Sequence, residues 1–176
     1  METRDKLEVV ISEEEILKKI SSVAKQLDHD YAGQEIVIVI VMKGAICLVA
    51  DLIRHLSSPC SLEFVRGSSY GARGVERGDL IITGLEAMNV TGKNVLVVDD
   101  IFDSGTTLTE IVNQFKKLQP ITLKSLVLLS KKVERTVNYT PDYVLFEIEN
   151  RFVVGYGLDY KEHYRGLPGI YTMANL

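Results

Sequence analysis

The stretch VLVVDDIFDSGTT, residues 95–107, organises the whole chain around it. An apolar, β-branched run stops at two adjacent carboxylates, Asp99 and Asp100. Asp103 follows, and then the small hydroxyl-rich loop Ser104-Gly105-Thr106-Thr107. Beyond it, Leu108, Ile111, Val112 and Phe115 recur at helical spacing, so residues 107–118 are predicted as a helix that Pro120 ends. A loop between a strand and a helix N-terminus presents unpaired backbone N–H groups and the positive end of the helix dipole. Glycine permits close approach, and the hydroxyls add donors. In physical terms this is a phosphate cradle. Taken alone, Ser-Gly-Thr-Thr reads equally well as a helix start capped by Asp103 or Ser104. It is not a Walker A loop, because no Gly-Lys-Ser/Thr follows. Nor is it a nucleophile elbow, because Ser104 has no glycine two residues before it.

The paired acids add to this. Two carboxylates ending a buried strand repel unless they are solvated, metal-bound or hydrogen-bonded. Neighbours on a strand point to opposite faces, so a close catalytic pair is not expected. They can instead accept hydrogen bonds from hydroxyls, as on a ribose. A phosphate cradle beside hydroxyl acceptors fits a ribose 5-phosphate.

Working outward, Ser12-Glu13-Glu14-Glu15 has the form of a capping box, with Ile16, Ile20, Val23 and Leu27 following at helical spacing. Residues 35–42 are a continuous apolar run, as in a parallel strand buried on both faces. Lys43-Gly44 follows at once, and residues 45–56 are predicted as a helix. Strands are predicted at residues 61–66, 80–83, 94–98, 123–129, 143–148 and 152–156. Residues 67–78 hold Gly67, Gly71, Gly74 and Gly78 with no hydrophobic period, which reads as a mobile loop. Strands alternating with helices imply an α/β domain with a mostly parallel sheet. Its right-handed crossovers bring the strand C-termini to one edge, where such folds bind ligands. Lys43-Gly44 and the Asp99–Thr107 stretch should therefore share a crevice.

Composition sets the bounds. The chain has 176 residues, 46% hydrophobic and 25% charged, enough for one domain with a real core. Its net charge of −4 does not favour nucleic acid. Cys47 and Cys60 lack a ligand cluster and read as reduced thiols. The first residues lack the apolar core of a signal peptide, and the run at residues 36–42 is too short to span a bilayer. The expectation is a cytoplasmic protein that does not contact membranes.

The stretch 95–107 resembles the 5-phosphoribosyl-1-pyrophosphate signature of the type I phosphoribosyltransferases. Nearly the whole chain resembles one branch, the hypoxanthine-guanine phosphoribosyltransferases. The matching pieces are VIVMKGA (39–45), FVRGSSYG (64–71), the signature itself, LLSKKVERTVNYTPDYVLFEI (128–148) and FVVGYGLDYKEHYRGLPGI (152–170). The branch usually carries Glu-Asp where this chain has Asp99-Asp100. The shorter first carboxylate is expected to reach its ribose hydroxyl through a water. The resemblance implies a type I phosphoribosyltransferase fold in one domain. Its core would cover about residues 35–150. A hood would form from about residues 1–12 and 151–176, and a catalytic loop would span about residues 67–79.

It also implies roles. Asp99 and Asp100 hold the ribose hydroxyls, and Asp103 is the general acid/base beside purine N7. Ser104, Gly105, Thr106 and Thr107 wrap the 5-phosphate. Lys43 and Gly44 form the pyrophosphate loop, whose Met42–Lys43 peptide is often cis in the family, and Arg165 contacts the same pyrophosphate. Ser69 and Tyr70 tip the catalytic loop. Lys131, preferred over its neighbour Lys132, donates to the purine 6-oxo group, which selects against the amine of adenine. Phe152 stacks on the base, and Val153 reads its edge through the backbone. Asp159 binds the second magnesium, with Asp99 and Asp100 touching metal indirectly. The implied reaction is Mg2+-assisted transfer of a phosphoribosyl group to hypoxanthine or guanine, giving IMP or GMP and pyrophosphate. The implied assembly is a homodimer or homotetramer. Two rivals are a non-catalytic nucleotide-binding regulator on the same fold and a phosphohydrolase with Asp99 as nucleophile. The latter lacks the usual Asp-x-Asp spacing.

Overall fold

The computed structural model describes residues 7–69 and 80–173. Its first helix, α1 (Glu13–Tyr31), opens on the expected capping box. Glu15 N–H donates to Ser12 Oγ at 3.3 Å, and Ser12 N–H donates back to Glu15 Oε2 at 2.9 Å. Ile16, Ile20, Val23 and Leu27 form its buried stripe.

Six strands make the main sheet: β2 (Ile36–Met42), β3 (Cys60–Ser69), β4 (Leu80–Thr83), β5 (Asn94–Phe102), β6 (Thr122–Lys131) and β7 (Tyr143–Ile148), in the order β4-β3-β2-β5-β6-β7. All neighbours are parallel except β3 and β4. Two crossover helices join them. α2 (Ile46–His55) leads from β2 to β3, and α3 (Thr106–Lys117) from β5 to β6. Alternate residues of the central strands feed two cores. Ile36, Ile38, Leu96 and Val98 pack with α1 and α2, and Val37, Val39, Val95 and Val97 pack with α3. The uninterrupted apolar runs of β2 and β5 follow from this two-sided burial. Because β2 leads one way across the sheet and β5 the other, their C-terminal ends flank a topological switch point.

Two boundary shifts bear on the site. β5 continues past Val98 to Phe102, so Asp99 and Asp100 lie within the strand. β3 runs to Ser69, so Gly67, Ser68 and Ser69 pair with β4 and are not loop. Residues 70–79 of the expected catalytic loop, Tyr70 among them, lie outside the described residues.

A second sheet of three antiparallel strands, in the order β1-β9-β8, joins the two ends of the chain: β1 (Leu7–Ile11), β8 (Val153–Val154) and β9 (Ile170–Met173). Phe152, Gly155 and Tyr156 fall outside β8, so the predicted strand at residues 152–156 shrinks to two residues. Gly155 and Tyr156 bond instead to Leu158 and Leu167, which turns the chain into a loop. Cys47 and Cys60 are free thiols.

Candidate active site

α3 has no side-chain cap. Its N-cap is Gly105, at φ +81°, so neither Asp103 nor Ser104 occupies the cap position. Ser104 Oγ reaches the Thr106 N–H only at 3.4 Å. A Cβ at Gly105 would lie 2.6 Å from Val137 Cγ2 and 2.7 Å from Phe102 Cζ, so glycine is required by both conformation and space. The helix end is thus shaped as an open cradle with hydroxyls around it.

The cradle lines a cavity of about 350 Å³ at the switch point. Asp99, Asp100, Asp103, Ser104, Gly105 and Thr107 border it from β5 and the loop. Lys43 and Gly44 border it from the end of β2, and Asp159 and Arg165 from the C-terminal segment. The sequence pieces expected to converge therefore do so. Thr106, Lys131, Phe152 and Val153 do not line this cavity. Lys131 joins its rim through Asp103, with Nζ 2.9 Å from Oδ2. Phe152 is 42% exposed and meets Tyr160 edge-on at 5.7 Å, so it is not a core residue. Val153 is buried in β8. Lys132 turns away to Glu149 at 2.9 Å, which leaves Lys131 as the lysine at the site.

The two strand acids are in contact, against the expectation from strand geometry. Asp99 Oδ1 accepts the Asp100 N–H at 2.9 Å, and Asp100 Oδ1 accepts the Ile101 N–H at 2.7 Å. Each carboxylate curls forward along the strand onto the next backbone N–H. Asp99 is only 6% exposed. Burial, and then the charge of Asp100, push its carboxyl well above the usual range, so it holds a proton readily. Burial raises Asp100 as well. A buried carboxyl whose Oδ1 already accepts from the backbone suits a hydroxyl-binding group and not a phosphoryl nucleophile.

Gly44 is fixed by Asp100. A Cβ there would fall 1.6 Å from Asp100 Oδ2. Gly157, at φ +99°, in turn lies against Gly44, where a Cβ would meet the Gly44 carbonyl oxygen at 2.0 Å. The Met42–Lys43 peptide is cis. Lys43 Nζ donates to Glu162 Oε2 at 2.9 Å. Arg165 donates to Gly157 O at 2.7 Å, sits 2.8 Å from Asp159 Oδ1 and 3.4 Å from Glu162 Oε1. Its Nε is buried without a hydrogen-bond partner among the described residues, a donor left for an anion. The sequence reading missed Glu162, Gly157 and Arg135. Glu162 stands between the two cations, and Arg135 binds Phe102 O and Asp103 O at 3.0 and 2.7 Å. None of the three stands in a diagnostic spacing. Of Ser69, only the backbone position at the end of β3 is described.

Among the described residues no three acidic, histidine or cysteine side chains converge as a ready-made metal cage. Asp100 and Asp159 nevertheless offer hard carboxylate oxygens to one cavity. That sparse set fits Mg2+, which takes one or two carboxylates and completes its shell with substrate phosphate oxygens and water.

Comparison with known proteins agrees with this geometry. Residues 11–161 match the phosphoribosyl transferase domain. The chain is 40% identical over 171 residues to a hypoxanthine-guanine phosphoribosyltransferase of Aquifex aeolicus, covering 97% of this chain and 96% of that one. A crystal structure of a hypoxanthine-guanine phosphoribosyltransferase from Bacillus anthracis, with HEPES in its active site, superposes with a TM-score of 0.88 at 41% identity, covering 94% and 98%. The hypoxanthine phosphoribosyltransferase of Trypanosoma cruzi, in complex with the product IMP, gives a TM-score of 0.89 at 35% identity, covering 99% and 98%.

Proposed function

Because this chain belongs to the phosphoribosyl transferase family, in its hypoxanthine-guanine branch, we propose that one active site runs from Lys131 to the Gly105 cradle. The enzyme is a purine salvage transferase. It moves the 5-phosphoribosyl group of 5-phosphoribosyl-1-pyrophosphate to N9 of hypoxanthine or guanine, giving IMP or GMP and pyrophosphate. The observation that carries the assignment of roles is the single cavity shared by the Asp99–Thr107 segment, Lys43-Gly44, Asp159 and Arg165.

The 5-phosphate takes the open N-terminus of α3 with Ser104, Thr106 and Thr107. Asp99 and Asp100 accept from the ribose hydroxyls. Lys43, the backbone at Gly44 and Arg165 hold the pyrophosphate, which leaves with the electron pair of its bond to the anomeric carbon. Purine N9 forms the new bond as Asp103 handles the proton at N7. Lys131 donates to the 6-oxo group, Phe152 covers the base, and the backbone of Val153 reads its edge. Ser69 and Tyr70 are assigned to the closing loop, which excludes water from a cationic sugar. Magnesium is the proposed cofactor, held by Asp159 and, through water, by Asp99 and Asp100. When bound, it neutralises the pyrophosphate and improves it as a leaving group.

We place the enzyme in the cytoplasm, where its two free thiols stay reduced. Among the described residues no helix is long and apolar enough to cross a membrane. Leu62 and Phe64 are exposed on the β3 face that continues from Cys60, and Ile46 is exposed at the start of α2. These apolar residues support a homodimer or homotetramer, which sedimentation would measure. Incubating the protein with hypoxanthine, the ribosyl pyrophosphate and Mg2+ should release one pyrophosphate per base consumed. No consumption of any oxopurine refutes the proposed roles.

A further inference from the structure

We infer that Arg135 is a positioning residue that sets the purine end of the site, acting through Lys131 and Asp103; this rests on the roles proposed above for that pair. β5 and β6 are paired as far as Phe102 and Ser130. Asp103 and Lys131 come one step beyond, where the strand ladder no longer ties the two chains together. Arg135 takes over there. Its Nε donates to Asp103 O at 2.7 Å, and its Nη2 donates to Phe102 O at 3.0 Å, Ser130 Oγ at 3.2 Å and Lys131 O. One guanidinium therefore grips the backbone carbonyls of both residues whose side chains form the Lys131–Asp103 pair.

The same group also packs on an aromatic ring. Its central carbon lies 4.5 Å over the Phe102 ring. That ring is the one a Cβ at Gly105 would strike, at 2.7 Å from Cζ. Arg135 thus packs on the ring that bounds the Gly105 turn, but bonds only to the purine end. Its acceptors are three carbonyls and one hydroxyl, spread over two strand ends. Arginine presents five donors in a fixed plane, which suits divergent acceptors, whereas the lysine ammonium is a compact point charge. A positively charged residue is not enough here; the fork is what joins β5 to β6.

A simple loop staple and a positioning residue differ in how they combine with Lys131. The test is a double-mutant cycle of Arg135→Lys and Lys131→Ala, with hypoxanthine and adenine as acceptors and the melting temperature followed for each protein. Arg135→Lys is expected to lower kcat/KM for hypoxanthine by about ten- to a hundredfold, the cost of misplacing reacting groups by roughly an ångström. The preference for hypoxanthine over adenine should fall with it, while KM for the ribosyl pyrophosphate stays within about threefold. In the Lys131→Ala background the same change should cost clearly less than in wild type, because only the part that runs through Asp103 is left. Equal losses in both backgrounds, or no loss in the first, overturn the inference. Arg135→Gln repeats the cycle without the charge, so a variant that misfolds does not end the test. An active wild type with an additive cycle sinks this inference alone; an inactive wild type sinks the proposed roles as well.

Discussion

Lys131 Nζ stands 2.9 Å from Asp103 Oδ2, with the lysine side chain 12% exposed and the aspartate 52% exposed. The group proposed to read the base and the group proposed to move its proton therefore occupy each other before a base arrives. An incoming 6-oxo group is an acceptor that can draw the ammonium away and free the carboxylate. An exocyclic amine offers only donors to that ammonium and leaves the pair closed. Under the proposed roles, this exchange of partners would couple recognition to catalysis.

Asp103→Asn should then act on chemistry more than on binding. The amide keeps the shape but cannot take a proton. We expect kcat to fall by about a hundredfold or more, the usual contribution of a general acid/base, with KM for hypoxanthine changed only a few-fold. Steady-state kinetics with both substrates decides it. Equal changes in kcat and KM would remove the acid/base role.

Lys131→Ala should cost selectivity. Loss of a buried donor facing the 6-oxo group lowers kcat/KM for hypoxanthine by about tenfold or more and leaves adenine less affected. The ratio of the two bases, measured in competition, should fall. An unchanged ratio would show that the lysine reads nothing.

Two glycines separate backbone strain from site geometry. Gly92 and Gly105 both have positive φ, at +71° and +81°, but a Cβ at Gly92 meets nothing within 4 Å. Gly92→Ala should cost about 1 kcal/mol of stability and leave the kinetics intact. Gly105→Ala adds collisions with Phe102 and Val137 at the cradle. It should lower the melting temperature further and raise KM for the ribosyl pyrophosphate. Identical behaviour of the two variants would contradict a cradle at Gly105.

How much of this was legible in the sequence follows from where the residues sit along the chain. The ribose-phosphate half was readable because Asp99 to Thr107 is contiguous, and a strand, a glycine and a helix start can be read from neighbours alone. The convergence of Lys43-Gly44 with it followed from parallel topology. The contact of the Asp99 carboxylate with the Asp100 N–H was not readable, because alternation along a strand says nothing about a short side chain curling onto the next N–H. Arg135 and Glu162 were missed for a different reason. Both lie in loops and act across the fold on partners about thirty and more than a hundred residues away. β1 and β9 are short strands whose only partners lie in the other small-sheet segments, so no local period marked them.

Glu162 gives a prediction that runs against intuition. Its carboxylate touches Lys43 at 2.9 Å and Arg165 at 3.4 Å, the cations assigned to pyrophosphate. It fills the place of an anion. Glu162→Gln should therefore lower KM for the ribosyl pyrophosphate and tighten product inhibition by pyrophosphate a few-fold, as exposed ion pairs are individually weak. A rise in KM would mean that Glu162 holds the cations in place for the substrate and does not compete with it.

Asp99 sets stability against function. Burial and the charge of Asp100 raise its carboxyl in the folded protein, while in the unfolded chain it titrates near the ordinary carboxylate range. Above that ordinary range the folded state binds more protons than the unfolded one, so this group lowers stability as pH rises. Asp99→Asn keeps an oxygen for the Asp100 N–H and removes the charge. Its melting temperature should match wild type at about pH 4. It should then exceed wild type by a margin that widens toward neutral pH. The same variant should bind the ribosyl pyrophosphate less well, because a neutral amide is a weaker acceptor for a ribose hydroxyl. Thermal melts across pH check the first part. A gain that is constant with pH, or a loss at neutral pH, would show that Asp99 is held ionised by a partner and stabilises the fold.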